Sequence, residues 1–332
     1  TEQCLLDFLF ARMTKRIGTH NGTFHCDEAL ACFMLHQTAE FRGAEILRSR
    51  DPKVYNEADV VVDVGGVYDP ATHRYDHHQR EFSGTLDDNH VTKLSSAGLV
   101  YKHFGRQLLK ELGHPEDQIE QIFQKVYTNF VEELDAVDNG ISQTDGTPRY
   151  QVSSTLSARV GRLNPRWNEE NPDEEAGFRA AMAMAGAEFL QAIDYCAKAW
   201  LPARDIVRTS LEACAEVHPS SEIMVLKTMC PWKEHLFVLE KEAGIEGRTK
   251  YVLFTDQSGA WRIQCVPLRS DGFENRKTLP SPWRGVRDEA LDAVTGIAGC
   301  VFVHAGGFIG GNKTYEGALE MARQALAFVE PA

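Results

Sequence analysis

No stretch of the 332 residues approaches the ~20 consecutive apolar residues that a membrane-spanning helix needs. The apolar start is broken by Asp7, Arg12, Lys15 and Arg16, which excludes a secretory h-region and secretion with it. Arg12, Lys15 and Arg16 have the basic character of a transit peptide, whereas Glu2 and Asp7 speak against one. Met13 offers an alternative start, which makes residues 1–12 an extension outside the fold. CxxC pairs are absent as well. The eight cysteines, Cys4, Cys26, Cys32, Cys196, Cys214, Cys230, Cys265 and Cys300, read as free thiols of a reducing compartment and not as a zinc-thiolate site. Basic charge is scarce: 35 Lys and Arg stand against 48 Asp and Glu, a net charge of −13. A coat protein for nucleic acid gains its affinity by neutralising phosphates, and this balance excludes one. It leaves room for an enzyme that meets phosphates through metal ions, because bound divalent cations reverse the local sign of a carboxylate-rich site. Internal repeats and low-complexity tracts are also missing.

What is present is an ordinary globular composition, 43% hydrophobic and 25% charged, and enough chain for about two domains. Arg16–His20, Ala44–Arg48 and the β-branched run Ala58–Val64 read as strands, with a helix over Asp27–Gln37 between the first two. Val67–Asp76 reads as a tight hairpin turning at Asp69-Pro70. Ser95-Ser96 caps a helix to Leu112, and another runs from Gln118 to Val137 and ends at Asn139-Gly140. Asn164–Glu175 is a polar surface loop, and Ala176–Trp200 a long helix bent or stopped by Pro202. Beyond it, Ile223–Leu226, Leu236–Leu239, Tyr251–Thr255 and Trp261–Pro267 read as strands, the last two joined at Asp256–Gly259. Arg287–Val294 and Thr314–Phe328 complete the pattern as helices. The expected fold is α/β: a mainly parallel open sheet in an N-terminal domain (13–200), a helical connector (201–214), and a smaller α/β C-terminal domain (215–332).

Four clusters carry the chemistry. His20, His25 and Asp27 stand on one turn between the first strand and its helix, the edge where α/β sheets gather ligands. The alternative is an N-capping Asp27 beside two surface histidines. Asp63 ends a hydrophobic strand, where a carboxylate needs a partner; it is a ligand or the cap of the Gly65-Gly66 turn. Asp76-His77-His78 follows a short strand, with imidazoles suited to transition metals and a carboxylate to orient them, or is a solvated pair. Asp135 and Asp138 lie near a helix C-terminus, which disfavours anions; Asp138 is the better-placed ligand, or the first residue of an Asp-Asn-Gly reverse turn. Taken together, the metal set is His20, His25, Asp27, Asp63, His77 and Asp138. Histidine and aspartate without cysteine suit Mn²⁺, Mg²⁺ or Fe²⁺, and a pair of such ions activates a hydroxide for in-line attack on phosphorus.

The stretches IGTHNGTFHCDEALACFML, ADVVVDVGGVYDP, RYDHHQREF, ELDAVDNGI, PWRGVRDEAL and VFVHAGGFIGGNKTYEGAL resemble the DHH phosphoesterase superfamily, and within it the melanocyte proliferating gene (MYG) exonuclease branch. The resemblance covers the chain from Ile17 onwards. It implies a DHH-type N-terminal domain holding two divalent ions, Mn²⁺ or Mg²⁺, with Asp63 bridging them. His25 departs from the commoner Asp of the superfamily, which leaves the metal preference open. By the same resemblance His78 touches substrate or the leaving group, and Asp76 orients the histidines. His304, Gly306, Gly307, Gly310 and Gly311 match a substrate-grasping glycine motif. Arg284 and Arg287, and more weakly Lys313, are clamps for phosphate or else surface partners of Asp288 and Glu289. Trp283, Phe302 and Phe308 are candidates for stacking on a base, Phe302 being the one expected in the core. The implied function is a 3′–5′ exoribonuclease acting on single-stranded RNA, bound in a cleft between the domains, in mitochondrion and nucleus, with a cytoplasmic place also open. Oligomerisation is open too, and a membrane association is not expected. Two other readings stand beside it: a phosphohydrolase of pyrophosphate or short oligonucleotides, and a non-catalytic metal-stabilised protein.

Overall fold

Ile17, Gly18 and Thr19 are small or β-branched and bury completely, so β1 (Arg16–Thr19) takes the middle of a sheet. The chain is seen in a computed structural model that describes residues 14–330; the extension 1–12 and Cys4 lie outside the described residues. After β1 come α1 (Cys26–Gln37), β2 (Glu45–Arg48), the single turn α2 (Pro52–Tyr55), β3 (Val60–Val62) and the hairpin β4 (Tyr68–Asp69) and β5 (Arg74–Tyr75). The strand order is β2-β1-β3-β5-β4. Ile17 pairs with Ile46 on one side and Val60 on the other, both in parallel, and Val62 pairs in parallel with Tyr75. Only the edge strand β4 is antiparallel. Its turn works as the sequence indicated: Asp69 accepts from the N–H of Ala71 and the hydroxyl of Thr72 around Pro70.

The order 2-1-3 means that the chain leaves β1 to one side and returns on the other. The gap between the ends of β1 and β3 is therefore a topological switch point, where open α/β sheets bind ligands. His20 follows β1 and Asp63 follows β3.

Helices cover the sheet. α1 is apolar nearly all round and buries nine of its residues. It packs between α3 (Ser96–Glu111) and, further along, α7 (Glu174–Tyr195). α4 (Glu116–Val126) runs through a π turn at Tyr127–Val131 into α5 (Glu132–Asp138), and the short α6 (Leu156–Gly161) precedes the polar loop. In that loop Asn164 bonds both the N–H and the C=O of Phe24, which ties it back to the turn before α1.

The contacts divide the chain between Ala197 and Lys198. α8 (Leu201–Glu212) follows α7 directly through a π turn at Cys196–Trp200, so the helical run is interrupted just before Pro202 by that turn and not stopped by the proline. Then follow α9 (Cys214–Val217), β6 (Ile223–Val225), α10 (Lys233–Glu242), β7 (Tyr251–Thr255), β8 (Trp261–Cys265), α11 (Asp288–Thr295), β9 (Cys300–Val303), β10 (Ile309–Asn312) and α12 (Tyr315–Ala327). The five strands form a mixed sheet, β6-β7-β8-β10-β9, parallel only between β6 and β7. One core gathers about Trp232 and Leu236 on one side, another about Trp283, Leu291 and Met321.

Leu236–Leu239 was expected as a strand and is instead the centre of α10. Its apolar run is too short for periodicity to separate the two states. His235, Leu236, Leu239 and Glu240 turn inward at helical spacing. β9 and β10 were not expected as strands: β9 is a four-residue apolar run too short for periodicity to assign, and β10 carries Gly310 and Gly311, which are poor strand formers. Ser95 does stand at the N-terminus of α3, but its hydroxyl binds Asp135 and not the helix end. Cys26, Cys32, Cys214, Cys230, Cys265 and Cys300 are free thiols. No helix among the described residues is long and apolar enough to cross a membrane.

Candidate metal centre

Asp63 is the hinge of the site. It is buried to 4% exposure, and its backbone has a φ of 59°, a left-handed conformation that costs a non-glycine residue free energy and clusters at functional positions. One carboxylate oxygen, Oδ2, lies 3.2 Å from Nε2 of His20. The other, Oδ1, lies 3.4 Å from Nε2 of His77, 3.5 Å from Nδ1 of His78, and accepts the Ser96 hydroxyl at 3.0 Å. The expected alternative, Asp63 capping the glycine turn, is not what is found: Asp76 accepts the N–H of Gly66 instead.

Around Asp63 three sets of donor atoms converge, each within 4.8 Å of one another: His20, His25, Glu28 and Asp63; Asp63, His77 and His78; His25, Asp27 and Asp138. Asp63 belongs to two of the sets, and His25 links the third. Every residue of the sequence-derived metal set is therefore here. His78 joins them at ligand distance, and so does Glu28, which sequence reasoning passed over. Glu28 is fully buried at the first turn of α1, where it accepts the N–H of His25 with both oxygens and lies 3.1 Å from Nε2 of His20. The capping-box spacing from His25 to Glu28 was the available signal, and it was masked because Glu at that position is normally explained by capping alone. Asp27 is not the N-cap; His25 is.

Among the residues of these three sets, two buried groups have no hydrogen-bond partner of their own: both carboxylate oxygens of Asp27, and Nε2 of His77, which lies 3.1 Å from Asp138 without bonding geometry. Burial, with Asp63, Asp138 and Glu28 close by, pushes the Asp27 carboxyl well above its ordinary range. Burial opposes the charge on His20, yet Asp63 and Glu28 outweigh it and raise that imidazole to about 10. Asp138 and Asp63 likewise overcome the burial of His77 and raise it to about 10. Asp63 is held well below the carboxylate range: burial alone would raise it, and the neighbouring imidazoles of His20, His77 and His78 prevail. Carboxylates crowded in this way, with orphaned oxygens and proton-retaining partners, are the electrostatic signature of a cation site. Asp, Glu and His donors without thiolate fit a hard or borderline divalent ion.

His78 stands at the rim, its side chain 60% exposed, and Asp76 accepts from its Nδ1 at 2.7 Å and from its backbone N–H at 3.0 Å. That bond raises His78 above its usual pKa. A cavity of 280 Å³ opens on one side of the rim, lined by His20, His25, Arg50, Asp63, Asp76, His78 and the Val64–Gly66 turn. A second, of 490 Å³, opens on the other between Asp27, Asp138, Phe24, Leu134 and α6. Asp135 is not part of the cage. It accepts from Ser95 N–H, Ser95 Oγ, Gly98 N–H and the Tyr127 hydroxyl, which pins α5 to the start of α3.

In the second unit, Gly306 and Gly307 form the β9–β10 turn, where Nδ1 of the exposed His304 accepts from Gly306 N–H. Gly310 and Gly311 lie buried within β10; a Cβ on Gly311 would stand 2.4 Å from Nη1 of Arg262. Arg284 is bonded to Leu279 O, Thr278 Oγ1 and Glu330, while Arg287 is exposed at the N-cap of α11. Trp283 is core. Phe302, expected there too, is half-buried with the guanidinium groups of Arg262 and Arg287 over its ring; Phe308 is exposed beside His304, and Lys313 is exposed.

A family model for MYG1 exonuclease, described as an uncharacterised protein family (UPF0160), matches residues 16–326. The chain is 56% identical over 322 residues to the MYG1 exonuclease of Homo sapiens, which covers 94% of this chain and 86% of that protein. It is 50% identical over 315 residues to a MYG1 protein of Dictyostelium discoideum, covering 93% and 96%. It is 42% identical over 331 residues to a MYG1 protein of Saccharomyces cerevisiae, covering 96% and 98%.

Proposed function

Because the chain belongs to the MYG1 exonuclease family, we propose that it is a metal-dependent phosphodiesterase of DHH type, a 3′–5′ exonuclease on single-stranded RNA. The observation that carries this reading is the linking of three donor sets through the shared residues Asp63 and His25, with the buried oxygens of Asp27 left unpartnered. Two divalent ions, Mn²⁺ or Mg²⁺, held by His20, His25, Asp27, Glu28, Asp63, His77 and Asp138, would supply Lewis acidity to a phosphoryl oxygen and ease deprotonation of a water. The chain's own groups do the rest. Asp76 is fixed by two backbone N–H groups and holds the His78 ring by Nδ1. Nε2 of His78 is then the nitrogen free to donate a proton to the leaving oxygen, and the bond to Asp76, which raises the ring's pKa, favours the protonated form. His78 lines both cavities, so substrate entering either passes it. In the second unit the exposed His304–Gly306 turn, Phe308 and Arg287 are the nucleotide contacts we assign; the occupied Arg284 is the weaker candidate.

The net charge of −13 favours a short substrate over a long polyanion. The test is end-labelled RNA and DNA, and pyrophosphate, each with Mn²⁺. Stepwise shortening of RNA from its 3′ end is expected, with His77→Ala slower by about 100-fold or more. Intact RNA and DNA alongside hydrolysed pyrophosphate would replace the nuclease by a small-molecule phosphohydrolase.

A further inference from the structure

Arg50 is a cation at the mouth of a carboxylate cage, yet it pairs with no carboxylate among the described residues. The neighbouring Arg48 shows what a structural arginine does here. It reaches Glu175 at 3.3 Å and the carbonyl of Gly22 at 2.7 Å, and lies over the rings of Phe24 and Phe178. Arg50, two residues on along the same chain end, is exposed, and its one polar contact is Nη2 to Nδ1 of His20 at 3.2 Å.

That contact is a weak claim on either side. Nδ1 of His20 also lies 3.2 Å from the carbonyl oxygen of Asn21. One ring nitrogen cannot donate to that carbonyl and accept from a guanidinium at once. When Nε2 of His20 serves as a ligand toward Asp63 and Glu28, Nδ1 carries the proton and donates to Asn21. Arg50 then has five donors, a full charge and no acceptor. It lines the 280 Å³ cavity together with His20, His25, His78, the Gly65-Gly66 turn and the carboxylates of Asp63 and Asp76, so Arg50 is the arginine of a lining whose acids are already engaged by the histidines. At ~30 Å³ per water, that space admits a phosphoryl group. A planar fork of N–H donors matches two non-bridging oxygens of such a group, a geometry that lysine cannot copy.

We propose that Arg50 is a substrate-binding residue, holding the non-bridging oxygens of the phosphoryl group in the cavity beside His78. The assignment rests on the phosphoesterase reading above. It names the side of the cage on which the anion lies and a cation that the sequence analysis did not single out.

Inorganic phosphate is the probe. Calorimetric titration of phosphate into the Mn²⁺-loaded full chain compares wild type with Arg50→Gln and Arg50→Lys, with Mn²⁺ titrated separately into each apo protein. The expected result is a loss of phosphate affinity of about 10- to 100-fold in Arg50→Gln, a smaller loss in Arg50→Lys, and Mn²⁺ affinity unchanged in both. Phosphate binding equal to wild type in Arg50→Gln, or absent from wild type altogether, overturns the assignment. So does a parallel loss of Mn²⁺ affinity, which would make Arg50 a support for His20. If phosphate affinity falls as expected while wild type cleaves no phosphoester, the Arg50 site stands and the enzymatic reading fails. If RNA is cleaved while phosphate ignores the substitution, the reverse holds.

Discussion

Asp27 shows how much a single residue concedes to the site. Its carboxylate is 1% exposed, unbonded at both oxygens, and set among Asp63, Asp138 and Glu28. No gain in folding explains a charge placed so; a buried carboxylate without a partner costs free energy that only a cation or a proton offsets. Asp27→Asn removes the charge and keeps the shape. In the metal-free protein this substitution should raise unfolding free energy by about 1–3 kcal/mol, while the stabilisation that wild type gains from Mn²⁺ disappears. Chemical denaturation with EDTA and with Mn²⁺ measures both. A variant that is less stable than wild type in EDTA would mean that Asp27 is a structural acceptor after all.

Elements bring these residues together, and Asp135 is the fastening between two of them. Oδ1 takes three donors from the start of α3, and Oδ2 takes the Tyr127 hydroxyl. The packing is so close that a Cβ on Gly98 would stand 2.3 Å from Oδ2. Burial raises the Asp135 carboxyl to about 7, although the bonds from Ser95, Tyr127 and Gly98 pull the other way. An unfolded Asp titrates near ~3.9, so between about 4 and about 7 the folded chain holds a proton that the unfolded chain has lost. Stability from this group is complete below that window and falls as pH rises through it. Asp135→Asn keeps Oδ1 as an acceptor and turns an amide N–H toward Tyr127. The urea midpoint of wild type relative to Asp135→Asn should therefore decline from pH 4 to 7. Parallel curves would remove the proton from Asp135.

At the scale of the molecule, the two units report through different probes. Of the five tryptophans, Trp167 is 97% exposed, and it is the one in the first unit; Trp200, Trp232, Trp261 and Trp283 belong to the second. The candidate metal centre lies wholly in the first unit. Mn²⁺ at about 100 times its dissociation constant stabilises the folded state that binds it by about 2.7 kcal/mol. Thermal unfolding followed by far-ultraviolet circular dichroism should gain a component that moves upward with Mn²⁺. The tryptophan-fluorescence midpoint should stay in place. Both probes moving together would show that the units unfold as one.

β-branched runs and apolar helical segments determined, from sequence alone, β1, β2, β3, the β4–β5 hairpin and the helices α1, α3, α4 and α7, because continuous burial or a 3.6-residue period is written in neighbouring residues; the single turn α2 and the short α6 are too brief to leave such a pattern. The identities of His20, Asp63, His77 and Asp138 were legible too, since polar side chains at strand and helix ends in an α/β pattern point to one edge. The sequence did not show α10 as a helix, whose four apolar residues suit either state, nor the short β9, nor β10, whose glycines meet Phe302 and Arg262 at close range. Only the tertiary structure decided which carboxylates share a cage and which merely fasten helices. Glu28 and Asp135 look alike in sequence as acids near helix ends. The switch point between β1 and β3 puts one of them against His20 and leaves the other bonded to Ser95, because distance in space is set by strand order and not by spacing along the chain.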